Sequence, residues 1–281
     1  NEQQNILNLN CEKISYSLLI TDSSEYPHIN FNTAGKPFEL KAEDFQNIIN
    51  KTSHAMSNDE TRINLNGIFL QSLDSKLRAV AIDGHRLALL DIKNFENEND
   101  TLTDGIIIPK KGITELKKIA ELYSGSNLLV SLDESFIYIS ANDEHILSIR
   151  LIARDYPKYQ TVIPSKTTYS LKIERNSLLN AVRRIRILSN EKTNGIKATL
   201  QKNTMTISAN HPSFGHASET VSVDYNGAEL DIGFNAKYML ESLAVLEVNE
   251  IIFELNNELS PVVVRSEEEP DFLGIIMPLK L

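Results

Sequence analysis

The 281-residue sequence contains no tryptophan and only one cysteine, Cys11. A single cysteine excludes a disulfide framework and any zinc site built from cysteines within the chain, and it fits a reducing cytosol. No apolar run approaches the roughly 18–20 residues that spanning a membrane requires. The amino terminus lacks the basic and then apolar layout of a secretory signal. These absences predict an intracellular protein.

Motifs that bind phosphate or metal are also missing. The sequence has no glycine-rich loop of the P-loop or dinucleotide-binding type. Five histidines stand at no metal-ligand spacing: His28, His54, His145, His211 and His216. The acidic residues 267–269, followed by Pro270 and Asp271, could suggest a metal site, but charge runs beside proline are more often solvated loops. We therefore expect no cofactor and no metal.

The charge is unevenly distributed along the chain. The net charge is -10, with 28 basic and 38 acidic residues. Residues 110–118 and 172–192 together contain ten basic and three acidic side chains. Such a division indicates an acidic body with one basic surface that faces phosphate groups. Solvated helix faces that happen to be basic are the alternative interpretation.

Two stretches of the chain show the same order of patterns. Leu40 and Leu171, 131 positions apart, each precede a helical pattern with apolar residues every three or four positions. Each helix is followed by a predicted strand, turn, strand and second helix. The predicted segments are 63–71, 77–83 and 112–123 in one copy, and 196–201, 204–209 and 236–246 in the other.

A closing strand occurs three times, at 14–20, 146–151 and 272–281. The first two run into Tyr26-Pro27 and Tyr156-Pro157, which are 130 positions apart. Three closing strands with only two opening helices predict three α+β repeats, of which the first lacks most of its residues. The absence of an initiator methionine agrees with a chain that begins inside a longer one.

Six segments, in order, resemble the bacterial DNA polymerase III beta subunit, the beta sliding clamp. They are LRAVAIDGHRLA at 77–88, IPKKG at 108–112, DYP at 155–157, ILSNEK at 187–192, GFN at 233–235 and MPLKL at 277–281. The resemblance implies an α+β DNA clamp fold whose domains each have two helices and two antiparallel sheets, with the helices lining a central hole and the sheets outside. It also implies a remnant of the first domain at 1–35, a middle domain at 36–164 and a C-terminal domain at 165–281.

The function implied by this resemblance is that of a non-catalytic processivity factor. As a head-to-tail homodimer when full length, the protein would encircle duplex DNA as a ring without reading its sequence, in the bacterial cytoplasm at the nucleoid. It would tether the replicative polymerase, the clamp loader and repair polymerases through short hydrophobic peptides. Two other classes stay open on the residues alone: an α+β hydrolase that uses Asp83 and His85, and a DNA-binding module that forms no ring.

The resemblance also implies a peptide pocket between the middle and C-terminal domains. Its residues are Leu65, Ile82, Gly84, His85, Arg86, Leu87, Pro157, Val162, Asn235, Tyr238, Leu259, Pro261, Ile275, Met277, Pro278, Leu279 and Leu281. The family's partners present a glutamine followed by leucine and a terminal Leu-Phe-like pair. Three positions depart from the usual residues: Asn64 replaces an aromatic, Thr161 a basic residue and Ile82 a threonine.

Two further sets of residues are predicted by matching positions. The side chains expected to face DNA are Lys110, Lys111, Lys117, Lys118, Arg183 and Arg184. Helix-borne lysines and arginines give salt-dependent phosphate attraction without sequence preference, which suits a ring that slides. The side chains expected at the contact with a neighbouring subunit are Tyr16, Ile187 and Leu188.

Overall fold

The computed structural model describes residues 5–26, 37–95, 102–142 and 144–280. Its first element is a hairpin of strands β1 (Ile6–Cys11) and β2 (Ile14–Leu19). The remaining elements form two repeats with the same order, strand, helix, four strands, helix and three strands. Cys11 is free and exposed in the hairpin.

The middle repeat spans residues 38–150. Its elements are β3 (Phe38–Lys41), α1 (Ala42–Thr52), β4 (Gly67–Leu73), β5 (Lys76–Ile82), β6 (Arg86–Lys93), β7 (Ile106–Pro109), α2 (Lys110–Leu122), β8 (Asn127–Leu132), β9 (Phe136–Ala141) and β10 (His145–Arg150). The last repeat spans residues 169–276. Its elements are β11 (Tyr169–Glu174), α3 (Arg175–Ile185), β12 (Gly195–Gln201), β13 (Thr204–His211), β14 (Gly215–Ser222), β15 (Leu230–Asn235), α4 (Ala236–Ala244), β16 (Glu250–Leu255), β17 (Val262–Arg265) and β18 (Phe272–Ile276).

Each repeat contributes two four-stranded antiparallel sheets. Two of the four sheets join into one eight-stranded sheet, in the order β11-β16-β17-β18-β6-β5-β4-β7. The other two have the orders β10-β9-β8-β3 and β14-β13-β12-β15. Two helices and two antiparallel sheets in each repeat confirm the predicted architecture.

The helices are amphipathic and bury one face against the sheets. In α3, Leu178, Val182 and Ile185 are buried at the three-to-four spacing that the sequence predicts. The Glu174 carboxylate caps its start by accepting hydrogen bonds from the amides of Asn176 and Ser177 at 2.8 and 2.6 Å. Helix α1 packs on α2, and α3 packs on α4.

The middle of the eight-stranded sheet is buried on both faces. Ala88 and Leu90 belong to the main core between helices and sheets. Leu87 and Leu89, which alternate with them along β6, belong to a second cluster on the other face. We call this second set of residues the outer cluster: Leu65, Phe69, Val80, Ile82, Leu87, Leu89, Ile107, Tyr159, Val263, Leu273 and Ile275.

Some local predictions need correction. The predicted strand 63–71 is a 3-10 turn, Ile63–Leu65, followed by β4, and α2 begins at Lys110 rather than at 112. Residues 267–269 form a loop in which Glu267 and Glu268 are exposed, but Glu269 is half-buried and its carboxylate contacts the Lys51 ammonium at 2.5 Å. The proposed domain boundary at 35/36 lies outside the described residues. Within the described residues, no helix is long and apolar enough to cross a membrane.

Candidate functional site

The two repeats meet where β6 pairs with β18, and we call this strand pairing the joint. It is antiparallel, with Leu90 opposite Phe272 and Arg86 opposite Ile276. Residues beyond β18 continue along the same edge. The Met277 amide donates a hydrogen bond to the His85 carbonyl oxygen at 2.8 Å. The segment after β18 therefore lies against the turn between β5 and β6.

The other side of this segment is held by the last repeat. The Leu279 amide donates to the carbonyl oxygen of Gly233 on β15 at 2.8 Å. Pro278 and Leu279 are half-buried, and Leu281 lies outside the described residues. Residues 277–279 thus bridge the two repeats.

The turn between β5 and β6 is built by Asp83. Its Oδ1 accepts hydrogen bonds from the amides of His85 and Arg86 at 2.8 and 3.0 Å, while Gly84 adopts φ +91°. A positive φ favours glycine because a Cβ atom would be strained there. The second carboxylate oxygen accepts from Arg86 Nε at 3.1 Å. Asp83 therefore stabilises the turn and orients Arg86. Its contact with His85 is to the backbone amide and not to the imidazole, so the two side chains do not form a catalytic pair here.

Arg86 connects the turn to α4. Its side chain is buried, forms ion pairs with Asp83 and Glu241, and places Cζ 4.5 Å from the centre of the Tyr238 ring. The exposed His85 ring stacks on the same tyrosine at 5.7 Å between centroids, with 20° between the planes. Three residues of the middle repeat and two of the last repeat thus form a polar end of the site.

Asn235 positions Tyr238 rather than standing free in the pocket. Its side-chain oxygen caps α4 by accepting hydrogen bonds from the amides of Lys237 and Tyr238 at 3.0 and 3.2 Å. Its Nδ2 donates to the Thr193 carbonyl oxygen at 3.0 Å. Because the side chain is committed at both ends, Asn235 fixes the start of the helix that carries Tyr238 and Glu241.

The apolar end of the site lies on the outer cluster. Four predicted pocket residues belong to this cluster, and two more pack against it: Leu65, Ile82, Leu87 and Ile275, with Val162 and Met277. Pro157 is exposed in the segment that precedes Val162. Leu259 is 66% exposed in the connection before β17, and Pro261 is half-buried next to that strand.

An aromatic layer below these residues was missed at the sequence level. Phe69 and Tyr156 stack with centroids 4.6 Å apart and 6° between the planes. The Tyr156 hydroxyl donates to the Val80 carbonyl oxygen at 3.2 Å, and burial raises the pKa of this tyrosine. Tyr156 stands within the DYP segment, so a buried aromatic beside Pro157 was the available signal.

The three residues that differ from those usual in the family make local contacts. Asn64 Nδ2 donates to the Asp155 carbonyl oxygen at 3.2 Å, which ties the 3-10 turn before β4 to the segment above the outer cluster. Thr161 Oγ1 donates to the Lys158 carbonyl oxygen at 2.8 Å. Ile82 is a buried member of the outer cluster. We call the whole site, from the Asp83 turn to the rim, the junction cleft.

The basic residues lie on α2 and α3 but differ in their contacts. Lys110 and Lys117 donate to the asparagine side chains of Asn58 and Asn50 at 2.5 and 2.9 Å. Lys118 contacts both Glu115 oxygens at 2.9 and 3.0 Å. Arg184 pairs with a glutamate on β14, whereas Lys111 and Arg183 are exposed and make no ion pair within the described part of the chain.

The three predicted subunit-contact residues are accessible to different degrees. Ile187 is 81% exposed in the 3-10 turn Arg186–Leu188, and Leu188 is half-buried beside it. Tyr16 is 57% exposed on β2. Among the described residues, no group of three or more His, Cys, Asp or Glu side chains could hold a metal ion.

Comparison with known proteins agrees with this geometry. Residues 39–158 match the central domain of the DNA polymerase III beta subunit, and residues 160–280 match its C-terminal domain. The chain is 30% identical to the beta sliding clamp of Pseudomonas aeruginosa over 280 residues, covering 100% of this chain and 75% of that protein.

Solved structures give the same result. A crystal structure of the P. aeruginosa beta subunit has a TM-score of 0.90 and 28% identity, covering 99% of this chain and 75% of that one. The Bartonella birtlesii sliding clamp bound to griselimycin has a TM-score of 0.90 and 28% identity, covering 98% and 74%. The chain therefore belongs to the DNA polymerase III beta subunit family, the beta sliding clamps.

Proposed function

We propose that the junction cleft binds short hydrophobic peptides of the replicative polymerase, the clamp loader and repair polymerases. Membership of the family makes the chain a DNA sliding clamp, a processivity factor of replication. The observation that carries the proposal is the joint itself, where Leu87 pairs with Ile275 on the face of the outer cluster. Buried apolar side chains covered by the half-buried Val162 and Met277, beside a polar end made by Arg86 and Tyr238, are the chemistry that recognises a short apolar peptide.

A calorimetric titration tests the proposal directly. The ligand is a short peptide with a glutamine, a following leucine and a terminal Leu-Phe pair. Burial of two apolar side chains contributes about 3–6 kcal/mol before ordering costs, so we expect micromolar binding. Deletion of residues 277–281 should abolish binding, whereas Leu122→Ala, an exposed position on α2, should not change it. Equal affinity of the deletion and the parent chain would refute the assignment.

DNA is proposed to pass along the helices. Basic side chains on α2 and α3 offer diffuse phosphate contacts, and the acidic remainder of the chain disfavours DNA on other surfaces. A closed ring needs no tight contacts, because topology keeps it on the duplex. Retention on closed circular DNA, but not on short linear duplex, distinguishes this function from that of a DNA-binding module without a ring.

Self-association is proposed to repeat the joint between copies. Strand β14 of the last repeat is equivalent to β6 of the middle repeat. Among the described residues, its only neighbour in the sheet is β13. Strand β2 occupies the place of β18, as the second strand of a closing hairpin. A second copy's β2 therefore fits antiparallel to β14, near Ile187 and Leu188. This contact is heterologous, as a head-to-tail ring requires.

Catalysis has no part in the proposed function. The Asp83 carboxylate is engaged by its own turn and by Arg86, so it is not free to activate a nucleophile through His85. We propose that the chain acts in the bacterial cytoplasm only by binding DNA and proteins. A hydrolytic activity that disappears with Asp83→Asn but survives deletion of residues 277–281 would instead support the hydrolase alternative.

A further inference from the structure

Arg184 is bound to the free edge of the last repeat. Its Nη2 and Nε contact the two Glu219 carboxylate oxygens on β14 at 2.5 and 2.9 Å. Because two nitrogens of the guanidinium bind the two oxygens of one carboxylate, the contact is bidentate and fixes the orientation of the Arg184 side chain. The preceding residue on the same helix, Arg183, is exposed and makes no ion pair within the described residues. The two neighbouring arginines therefore have different surroundings.

The middle repeat contains an equivalent of Arg184. Helices α1 and α3 each have 11 residues and are each followed by a three-residue 3-10 turn. Lys51 and Arg184 stand at the same position, one residue before the helix ends. Lys51 is buried and reaches across the joint, where its ammonium contacts the Val245 carbonyl oxygen at 2.7 Å and Glu269 at 2.5 Å. Its partners both belong to the other repeat.

The strand that binds Arg184 is also the equivalent of a joint strand. Lys93 on β6 pairs with Lys76, the first residue of β5 after the two-residue turn that follows β4. In the same way, Ser222 on β14 pairs with Thr204, the first residue of β13 after the two-residue turn that follows β12. Counting back three residues places Glu219 where β6 has Leu90. Leu90 faces Phe272 across the joint. A carboxylate thus stands at the unpaired edge where the internal joint has a buried leucine.

The acidic partner of Lys51 has an equivalent as well. Glu269 lies in the connection between β17 and β18. The matching connection between β1 and β2 is the turn formed by Glu12 and Lys13, and Glu12 is exposed there. A second copy whose β2 lies on β14 brings this turn towards the end of α3, as the β17–β18 connection meets the end of α1.

We propose that Arg184 is a positioning residue of the contact between copies, where it exchanges Glu219 for Glu12 of a second copy. The proposal rests on the head-to-tail assembly proposed above and assigns Arg184 to the assembly rather than to DNA. An exposed ion pair contributes little net stability, so the exchange costs little. Charge pairs at an interface set the register and suppress wrong partners, and Lys51 forms such a pair across the joint within the chain.

A charge swap tests the proposal. Self-association of the 281-residue chain is measured by sedimentation for the parent, Arg184→Glu, Glu12→Arg and the double variant. Each single variant should weaken association about tenfold, and the double variant should recover most of that loss. Arg184→Gln, which avoids placing two carboxylates together, should weaken association less than Arg184→Glu does. Unchanged melting temperatures confirm that the variants fold.

Arg183→Glu is the matched control on the same helix. It should lower DNA affinity and leave association unchanged. A parent chain that associates, together with a double variant as weak as the single variants, would overturn the role of Arg184 and leave the assembly intact. A parent chain that remains monomeric at several hundred micromolar would overturn the assembly and this inference together.

Discussion

The amide of Met277 donates a hydrogen bond to the carbonyl oxygen of His85 at 2.8 Å. The bond closes the joint at the end where the peptide is proposed to bind. Because one partner follows β18 and the other lies in the turn before β6, the junction cleft has a wall from each repeat. Its shape therefore depends on the backbone of Met277 as well as on its side chain.

Two variants of Met277 separate these contributions. Met277→Ala removes apolar surface but keeps the amide, whereas Met277→Pro also removes the donor. We expect alanine to weaken peptide binding by about 1–2 kcal/mol and proline to weaken it by about 1 kcal/mol more. Calorimetry with the same peptide measures both losses. Equal losses for alanine and proline would mean that the bond to His85 does not shape the cleft.

The basic side chains should not contribute equally to DNA binding. Each phosphate contact changes the slope of log affinity against log salt by about 0.9. Lys111→Glu and Arg183→Glu remove charges that form no ion pair in the described part of the chain, so each should flatten the slope by at least that amount. Lys118→Glu should change it less, because Glu115 already neutralises that lysine. Anisotropy of labelled duplex over a salt series gives the slopes, with Lys158→Glu, outside the helices, as the control. Identical slopes for all variants would contradict the proposed surface.

His54 predicts a dependence of stability on pH. Burial, and then the charge of Arg86, lower the pKa of its imidazole to about 3 from an ordinary value of 6.5. Above pH 6.5 both folded and unfolded states are neutral. Below it only the unfolded state gains a proton, so stability falls as the pH falls towards 3. The loss approaches 1.4 kcal/mol per pH unit, or about 2 kcal/mol between pH 6.5 and 5.

Urea unfolding of the parent chain and of His54→Ile at pH 6.5 and at pH 5 measures the contribution of His54 to the pH dependence of stability. Isoleucine is the residue at the equivalent position of the last repeat, Ile187. The variant should lose about 2 kcal/mol less than the parent between pH 6.5 and 5. His216→Ala, at an exposed histidine, should behave like the parent. An unchanged pH dependence in His54→Ile would show that this histidine does not remain neutral in the folded protein.

The sequence predicts the repeats better than it predicts the contacts between them. The helical patterns before α1 and α3 are local, because apolar residues recur every three or four positions and are sufficient to define a buried face. The contacts at the joint are not local. Arg86 and Glu241 are 155 positions apart, and Lys51 and Glu269 are 218 apart. No periodicity relates such residues before the strand order is known.

The proposed site shows the same limit. The apolar residues of the junction cleft follow from matching positions, and six of them meet at the outer cluster. The roles of polar residues do not follow in this way. Asn235 matches a pocket residue but caps α4, and Arg184 matches a DNA-facing residue but contacts β14. A polar side chain has several possible partners, and only the fold determines which one it meets.

The register between copies follows from the joint and can be tested with cysteines. In the joint, Ala88 lies opposite Gly274. On β14, Ala217 is equivalent to Ala88 of β6. The two hairpins are aligned by their outermost pairs, Leu19 with Ile6 and Ile276 with Val262. In this alignment Ser17 is equivalent to Gly274. We therefore expect Ala217 of one copy to lie opposite Ser17 of another, with Cβ atoms about 4.5–5.5 Å apart.

Ser17→Cys with Ala217→Cys, in a chain whose exposed Cys11 is replaced by serine, should form a crosslink between copies under mild oxidation or with a short bifunctional reagent. Ser17→Cys with Ser218→Cys is one residue out of register, and its two thiols should point to opposite faces of the sheet, since side chains alternate along a strand. Non-reducing gel electrophoresis should show linked dimers for the first pair and mainly monomer for the second. Faster crosslinking of the second pair would place the strands one residue away from the proposed register, and no crosslinking by either pair would argue against addition of β2 to β14.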